Sequence, residues 1–216
     1  MAFWNDNYAE EISLEGIDSS NFKDLAPSEK QFEGLKRLSS CPSILDYGCG
    51  HGWGAIILAK LGAKRVKGVD LSPNAVKMAS SLSKAYSVKA EFASIEEDYL
   101  FQTEERFDGV FCSNVIDVVP LEVAKSIVEG LANVLKQNGK ALISLNHYVK
   151  PTDSPEREKE AKDGCLYVNG ILRLLCLSDE EWSRIFEKHF EILSLDHYAW
   201  PGEEEEKRRL FFLRRK

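Results

Sequence analysis

The sequence predicts an α/β protein, with a mostly parallel sheet between two layers of helices and an antiparallel hairpin at its C-terminal end. Three observations carry this. From residue 43 to residue 145, short apolar runs alternate with amphipathic stretches, the pattern of strands joined by crossover helices. The first of these strand–helix junctions is a run of alternating glycines, Gly48, Gly50, Gly52 and Gly54. After residue 190 two strand-like runs follow one another around Pro201-Gly202 with no helix between them.

The elements follow in order. Residues 1–24 hold Phe3, Trp4, Tyr8 and Phe22 among acids; they read either as a helix packing its aromatics on the domain or as an N-terminal flap over a ligand. Pro27 is expected to open a helix running to Leu38, with Phe32, Leu35 and Leu38 on one face. Strand 43–47 then enters the glycine turn, and a helix over 53–61 ends at Gly62. Strand 65–70 ends in Asp70, and Ser72-Pro73 caps and opens a helix to Ala85, with Ala75, Val76, Ala79 and Leu82 inward. A third strand is expected over 89–92 and a fourth over 107–112, ending at Ser113-Asn114. Pro120 opens a helix whose apolar stripe reads Val123, Ile127, Leu131, Val134 and Leu135, stopped by Asn138-Gly139. Strand 140–145 is the fifth.

At His147 the alternation breaks. Residues 147–164 are polar and hold Pro151 and Pro155; 165–177 turn apolar again. This is too long for a routine connection, and it leaves the carboxyl end of a strand, so 147–177 reads as an inserted cap. Ser178 and Glu181 spell a capping box for a helix carrying Trp182, Ile185 and Phe186. Strands 190–198 and 210–213 form the final hairpin around the polar turn of glutamates 203–206, and the basic stretch 207–216 reads as a solvated edge. No internal repeat or second core is visible, so residues 1–216 read as a single domain.

Composition narrows the function. The chain has 216 residues, enough for one sizeable core, and a formal net charge of −7, which argues against nucleic acid or an anionic membrane as the main partner. The five cysteines are odd in number and lack metal-ligand spacing; Cys41, Cys112 and Cys176 lie in apolar surroundings. No metal is expected, and a reduced, cytoplasmic protein fits best. There is no signal-peptide pattern and no run of apolar residues long enough to span a membrane.

The stretch Asp46-x-Gly48-x-Gly50-x-Gly52 carries the chemistry. Glycines keep Cβ atoms off a tight turn, so a ligand is expected directly on the main chain, at the carboxyl end of a strand and facing a helix N-terminus. Such a turn with an acid downstream also describes dinucleotide sites, and Gly50-x-Gly52-x-x-Ala55 meets the looser form of that pattern. Asp46 argues the other way: a carboxylate beside the turn repels a pyrophosphate and attracts an ammonium.

This motif resembles the first motif of class I methyltransferases that use S-adenosylmethionine, and the resemblance extends in motif order over residues 40–146. It implies a three-layer Rossmann-like sandwich with a seven-stranded sheet, which the C-terminal hairpin suits. It implies that Gly48, Cys49, Gly50 and Gly52 carry the cofactor's methionine end, backbone N–H groups meeting its carboxylate, with Asp46 near its ammonium. By the same resemblance Asp70 would accept the ribose hydroxyls and Leu71 would pack on the adenine. Ser94 and Ile95 stand where relatives contact the base with an Asp, and Asn114-Val115 lie beneath the methionine portion. Tyr8 and Trp4 are expected over the sulfonium as cation–π partners.

Displacement at a sulfonium needs mainly alignment and desolvation, so catalytic residues are few. His147, Tyr148 and Asp117 are the candidates for handling the acceptor: His147 by its unperturbed pKa near 6.5, Asp117 either orienting a substrate or capping the turn before Pro120. The expected function is methyl transfer to a small-molecule acceptor, with S-adenosylhomocysteine as product. A protein or RNA methyltransferase, a nicotinamide oxidoreductase and a non-catalytic cofactor sensor are the alternatives; the oligomeric state is left open.

Overall fold

The structure is a computed structural model that describes residues 8, 14, 16–149, 159–162 and 164–216. Seven of its strands form one sheet: β1 (Ser43–Tyr47), β2 (Arg65–Asp70), β3 (Glu91–Ser94), β4 (Phe107–Ser113), β5 (Leu135–Leu145), β9 (Phe190–Tyr198) and β10 (Arg208–Arg215), in the order β3-β2-β1-β4-β5-β10-β9. The pairs β3-β2, β2-β1, β1-β4 and β4-β5 are parallel; β10 runs antiparallel to both β5 and β9. The predicted architecture holds, with a mostly parallel sheet and an antiparallel C-terminal hairpin.

Both faces of the central strands are apolar, as burial on both sides requires. Ile44, Phe111 and Phe212 face the layer of α1 (Glu29–Leu38) and α2 (Trp53–Lys60), where they meet Leu35, Leu38 and Leu58. Their chain neighbours Leu45, Val110 and Phe211 face the opposite layer, meeting Val128, Leu131, Trp182 and Phe186 of α5 (Leu121–Val134) and α6 (Asp179–Phe186). Between them in sequence lie α3 (Pro73–Ala85) and the single turn α4 (Tyr99–Gln102). Three caps match their predicted residues: Ser72 accepts from the Ala75 amide, Gly62 follows α2 with φ +95°, and Ser178 and Glu181 close a reciprocal capping box on α6.

Several boundaries differ from the sequence reading. Pro27 does not open α1; Ser28 caps it, accepting from the Gln31 amide, and the helix begins at Glu29. β3 lies two residues later than expected because its ladder to β2 starts at Lys67–Glu91. α5 ends at Val134, not at Asn138-Gly139: the chain is already extended at Leu135, which pairs with Phe107, and Asn138 (φ +61°) turns within β5. Its buried stripe runs through Ala124, Val128, Leu131 and Val134, leaving Val123 46% exposed. The small Ala124 faces inward and Gly130 receives the Leu100 side chain, contacts that apolar periodicity alone does not reveal.

Within 147–177 a separate three-stranded antiparallel sheet forms, β6 (Lys159–Lys162), β7 (Cys165–Val168) and β8 (Ile171–Leu175). Asn169 and Gly170, both at positive φ, join β7 to β8 as a two-residue hairpin turn. Cys165, Leu175 and Leu177 pack into the same core as Ile116, so this small sheet lies beside the loop that follows β4. Residues 150–158 and 163 of that segment lie outside the described residues.

Candidate active site

β1 hands over to Gly48, Gly50 and Gly52 at φ +68°, +53° and +84°. Their bare sides are not open to a ligand. A Cβ at Gly48 would fall 2.3 Å from Val115 Cγ2, at Gly50 2.6 Å from the Tyr8 hydroxyl, and at Gly52 2.8 Å from Ala79 Cβ. The glycines therefore let the turn pack tightly against the protein's own side chains, which corrects the expectation that the missing Cβ atoms clear room for a ligand. The turn's amides are also largely spent: Gly48 and Cys49 donate to the Val69 carbonyl, Gly52 to the Cys49 carbonyl, and Gly50 to Asp70 Oδ2. What remains are the amides of His51, Trp53 and Gly54, which meet no acceptor among the described residues. They lie at or just before the first turn of α2, whose cap Gly52 has no side chain, so an anion is the natural complement there.

Asp46 is 2% exposed, and its Oδ2 accepts the Ala55 amide at 2.8 Å. It thus reaches the first turn of α2 instead of standing free beside the turn. Burial pushes its carboxyl up to about 7 against that hydrogen bond, and nearby Asp70 adds to the rise. Asp70 sits at the carboxyl end of β2, its Oδ2 on the Gly50 amide and its Oδ1 on the Ser72 amide, both at 2.9 Å. Two oxygens with one acceptor position used on each keep capacity for further donors. Leu71 beside it is half-buried.

Ser94 lies opposite Asp70 in the ladder and is exposed. The Ile95 amide is spent on the Asp70 carbonyl at 3.0 Å, so it is not offered to a base. Asn114, at φ +54°, donates its amide to the Ser144 carbonyl, while its buried Oδ1 meets no partner among the described residues. Burial raises the Cys49 thiol well above its ordinary value, so it behaves as a packed neutral group. Tyr8 is placed against Gly50; Trp4 lies outside the described residues.

The acceptor candidates separate. Asp117 is 0% exposed, and its Oδ2 accepts the Asn146 amide (2.6 Å) and side-chain nitrogen (2.9 Å). It ties the loop after β4 to the end of β5 and offers no accessible carboxylate, which favours the structural side of the two roles read for it. Tyr148 is 41% exposed. His147 is half-buried, and burial followed by the Arg208 charge lowers its pKa, leaving it neutral at pH 7 with a lone pair to offer.

The residues that organise this corner went unrecognised in the sequence. Asn146 accepts from Arg208 through Oδ1 (2.6 Å) and from Arg209 through its carbonyl (2.6 and 2.9 Å). Arg208 is gripped by Glu203 and lies over Trp200, 3.4 Å from the ring centroid. Arg209 is 1% exposed. The basic stretch read as a solvated edge thus holds two buried guanidiniums, Arg208 and Arg209. The local sequence carried no signal for this beyond two arginines entering an apolar strand.

Residues 44–139 match a family profile described as a methyltransferase domain, which covers the glycine turn, Asp46, Asp70 and Asn114. The matched stretch is similar to a methyltransferase domain and spans less than half of the chain. The ubiquinone biosynthesis O-methyltransferase of Xanthomonas axonopodis pv. citri is 36% identical over 103 residues, 47% of this chain and 41% of that protein. The ribosomal protein L11 methyltransferase of Caldicellulosiruptor saccharolyticus is 38% identical over 96 residues, 44% of this chain and 30% of that protein. The match thus spans under half the length of either relative. Among solved structures, the 1,6-didemethyltoxoflavin-N1-methyltransferase of Burkholderia thailandensis superposes with a TM-score of 0.70 at 17% identity, covering 90% of this chain and 80% of that one. The N-methyltransferase NodS of Bradyrhizobium japonicum gives 0.65 at 17% identity and covers 98% of both chains. These likenesses extend the methyltransferase fold over the hairpin, beyond the family match.

Proposed function

We propose that the protein binds S-adenosylmethionine at the β1–α2 turn and transfers its methyl group to a small-molecule acceptor. The observation that carries this is the pairing of acceptors and donors around the turn. Asp70 presents a carboxylate with spare acceptor capacity at the end of β2, suited to a vicinal diol. The amides of His51, Trp53 and Gly54 meet no acceptor among the described residues, suited to a carboxylate. The buried Asn114 Oδ1 meets no donor among the described residues, suited to an ammonium. A sugar and a zwitterionic amino-acid head are the parts of this cofactor, so the residues present fit it. Leu71 supplies an apolar wall for the base, and Asp46 holds α2 in place from beneath.

When bound, the cofactor supplies a methyl group already activated by positive sulfur. The chain's own part is to bind, orient and exclude water. His147 is the residue best suited to take a proton from the acceptor, being neutral and at the carboxyl end of β5. The 147–177 segment, packed beside the loop after β4, is suited to cap the acceptor. A small acceptor is supported by relatives named for small-molecule methylation. A protein acceptor is the second reading, supported by the match to a ribosomal protein methyltransferase.

The test has two steps. Calorimetry with S-adenosylhomocysteine and with a nicotinamide dinucleotide should show binding of the first only. Label from the methyl group should then pass to a component of a metabolite mixture and not to L11 protein. Binding of the dinucleotide alone would reject the reading, and labelling of L11 alone would replace the acceptor class.

A further inference from the structure

The phenol of Tyr8 sits in the notch that Gly50 leaves. Its oxygen lies 2.6 Å, and its Cζ 3.4 Å, from where a Gly50 Cβ would stand. The hydroxyl is close enough to Asp70 and Cys49 for both to raise its pKa beyond the effect of burial, so it remains a protonated donor. Among the described residues it makes no hydrogen bond. An O–H donor held beside a carboxylate, with no partner among the described residues, is matched by a ligand oxygen at the same place.

Building on the cofactor reading above, we propose that Tyr8 is a cofactor-contacting residue, seated on Gly50 and donating its hydroxyl to the sugar that Asp70 holds. A sugar hydroxyl that donates to Asp70 still has an oxygen needing a donor, and Asp70 supplies none. The phenol beside it does. This places Tyr8 at the ribose, not over the sulfonium. It also gives Gly50 its reason: a side chain there would evict Tyr8 before it met the cofactor.

The experiment measures S-adenosylhomocysteine and 5′-methylthioadenosine, the fragment with sugar and base but no amino-acid head, by calorimetry. Tyr8→Phe should weaken both ligands equally, by about fivefold. Gly50→Ala should cost about tenfold in the wild-type background and under about threefold on top of Tyr8→Ala, since neighbours that share a contact are not additive. Unchanged binding by Tyr8→Phe overturns the proposal. So does a loss confined to S-adenosylhomocysteine, which would put the phenol at the amino-acid head, and so does an equal Gly50→Ala cost in both backgrounds. If Gly50→Ala lacks a cooperative melting transition, the two-ligand comparison decides alone. A wild-type chain that ignores S-adenosylhomocysteine overturns the cofactor reading and Tyr8's part with it.

Discussion

At the scale of the residue, two acids at the ends of neighbouring strands do different work. Asp46 is buried and its folded-state pKa, about 7, lies above its ordinary value of 3.8. The sign follows: stability is unreduced below pH 4 and is lost as pH rises toward 7, where the buried carboxyl ionises. Asp46→Asn should therefore be more stable than wild type at pH 8, by about 2 kcal/mol, and should lose the decline between pH 4 and 7. Melting curves across pH check this, and parallel curves for the two proteins would reject it. Asp70 faces the ligand side. Asp70→Ala should weaken S-adenosylhomocysteine binding by roughly 2–3 kcal/mol, because charge-assisted hydrogen bonds vanish. Unchanged affinity would remove Asp70 from the site.

At the scale of the element, the fold is pinned where strands end. Asp117, Asn146, Arg208 and Glu203 form one chain of hydrogen bonds from the loop after β4, through the end of β5, to the hairpin turn. Asp117→Ala strands the half-buried Asn146 donors and should cost about 2 kcal/mol of stability while leaving S-adenosylhomocysteine affinity within a factor of about two. A variant with normal stability and lost activity would make Asp117 an acceptor-handling residue after all. The opposite end of the sheet is held by Glu105, which is kept at about 2, against the cost of burial, by hydrogen bonds from Lys67 and Arg65. Because that pKa is depressed, its contribution is present above pH 4.5 and is lost as pH falls toward 2. Glu105→Gln should flatten the acid limb of the stability curve, and an unchanged limb would assign acid sensitivity elsewhere.

At the scale of the whole molecule, the N-terminal segment and the small sheet lie outside the residues that match the methyltransferase profile. Ile17 packs against the cluster of Ile56, Leu82 and Tyr86, so it belongs to the folded body. Removing residues 1–16 leaves that contact in place. It should lower S-adenosylhomocysteine affinity by about tenfold or more, through loss of Tyr8, with a melting temperature within a few degrees of wild type. A collapse of the melting transition would make the segment part of the core. No helix of the described residues is long and apolar enough to cross a membrane.

Much of this was legible without coordinates. The strand–helix alternation, the three caps and the hairpin follow from apolar period, capping residues and turn residues, which act within a few positions of one another. The acids that close β1 and β2 and the Asn after β4 were likewise visible as polar residues ending apolar runs. What the chain determined by itself was the order and type of the seven main-sheet strands and their longer helices, though not the small sheet of β6, β7 and β8 or the single turn α4, and the glycine motif on the first turn. What only the tertiary structure decided was where each polar group spends its hydrogen bonds. Asp46 goes to a helix nine residues on, Arg208 and Arg209 reach back to Asn146, and Gly50 is filled by Tyr8. Those pairings join residues far apart in sequence, and burial, which sets their strength, exists only once the sheet and its two helical layers have closed around them.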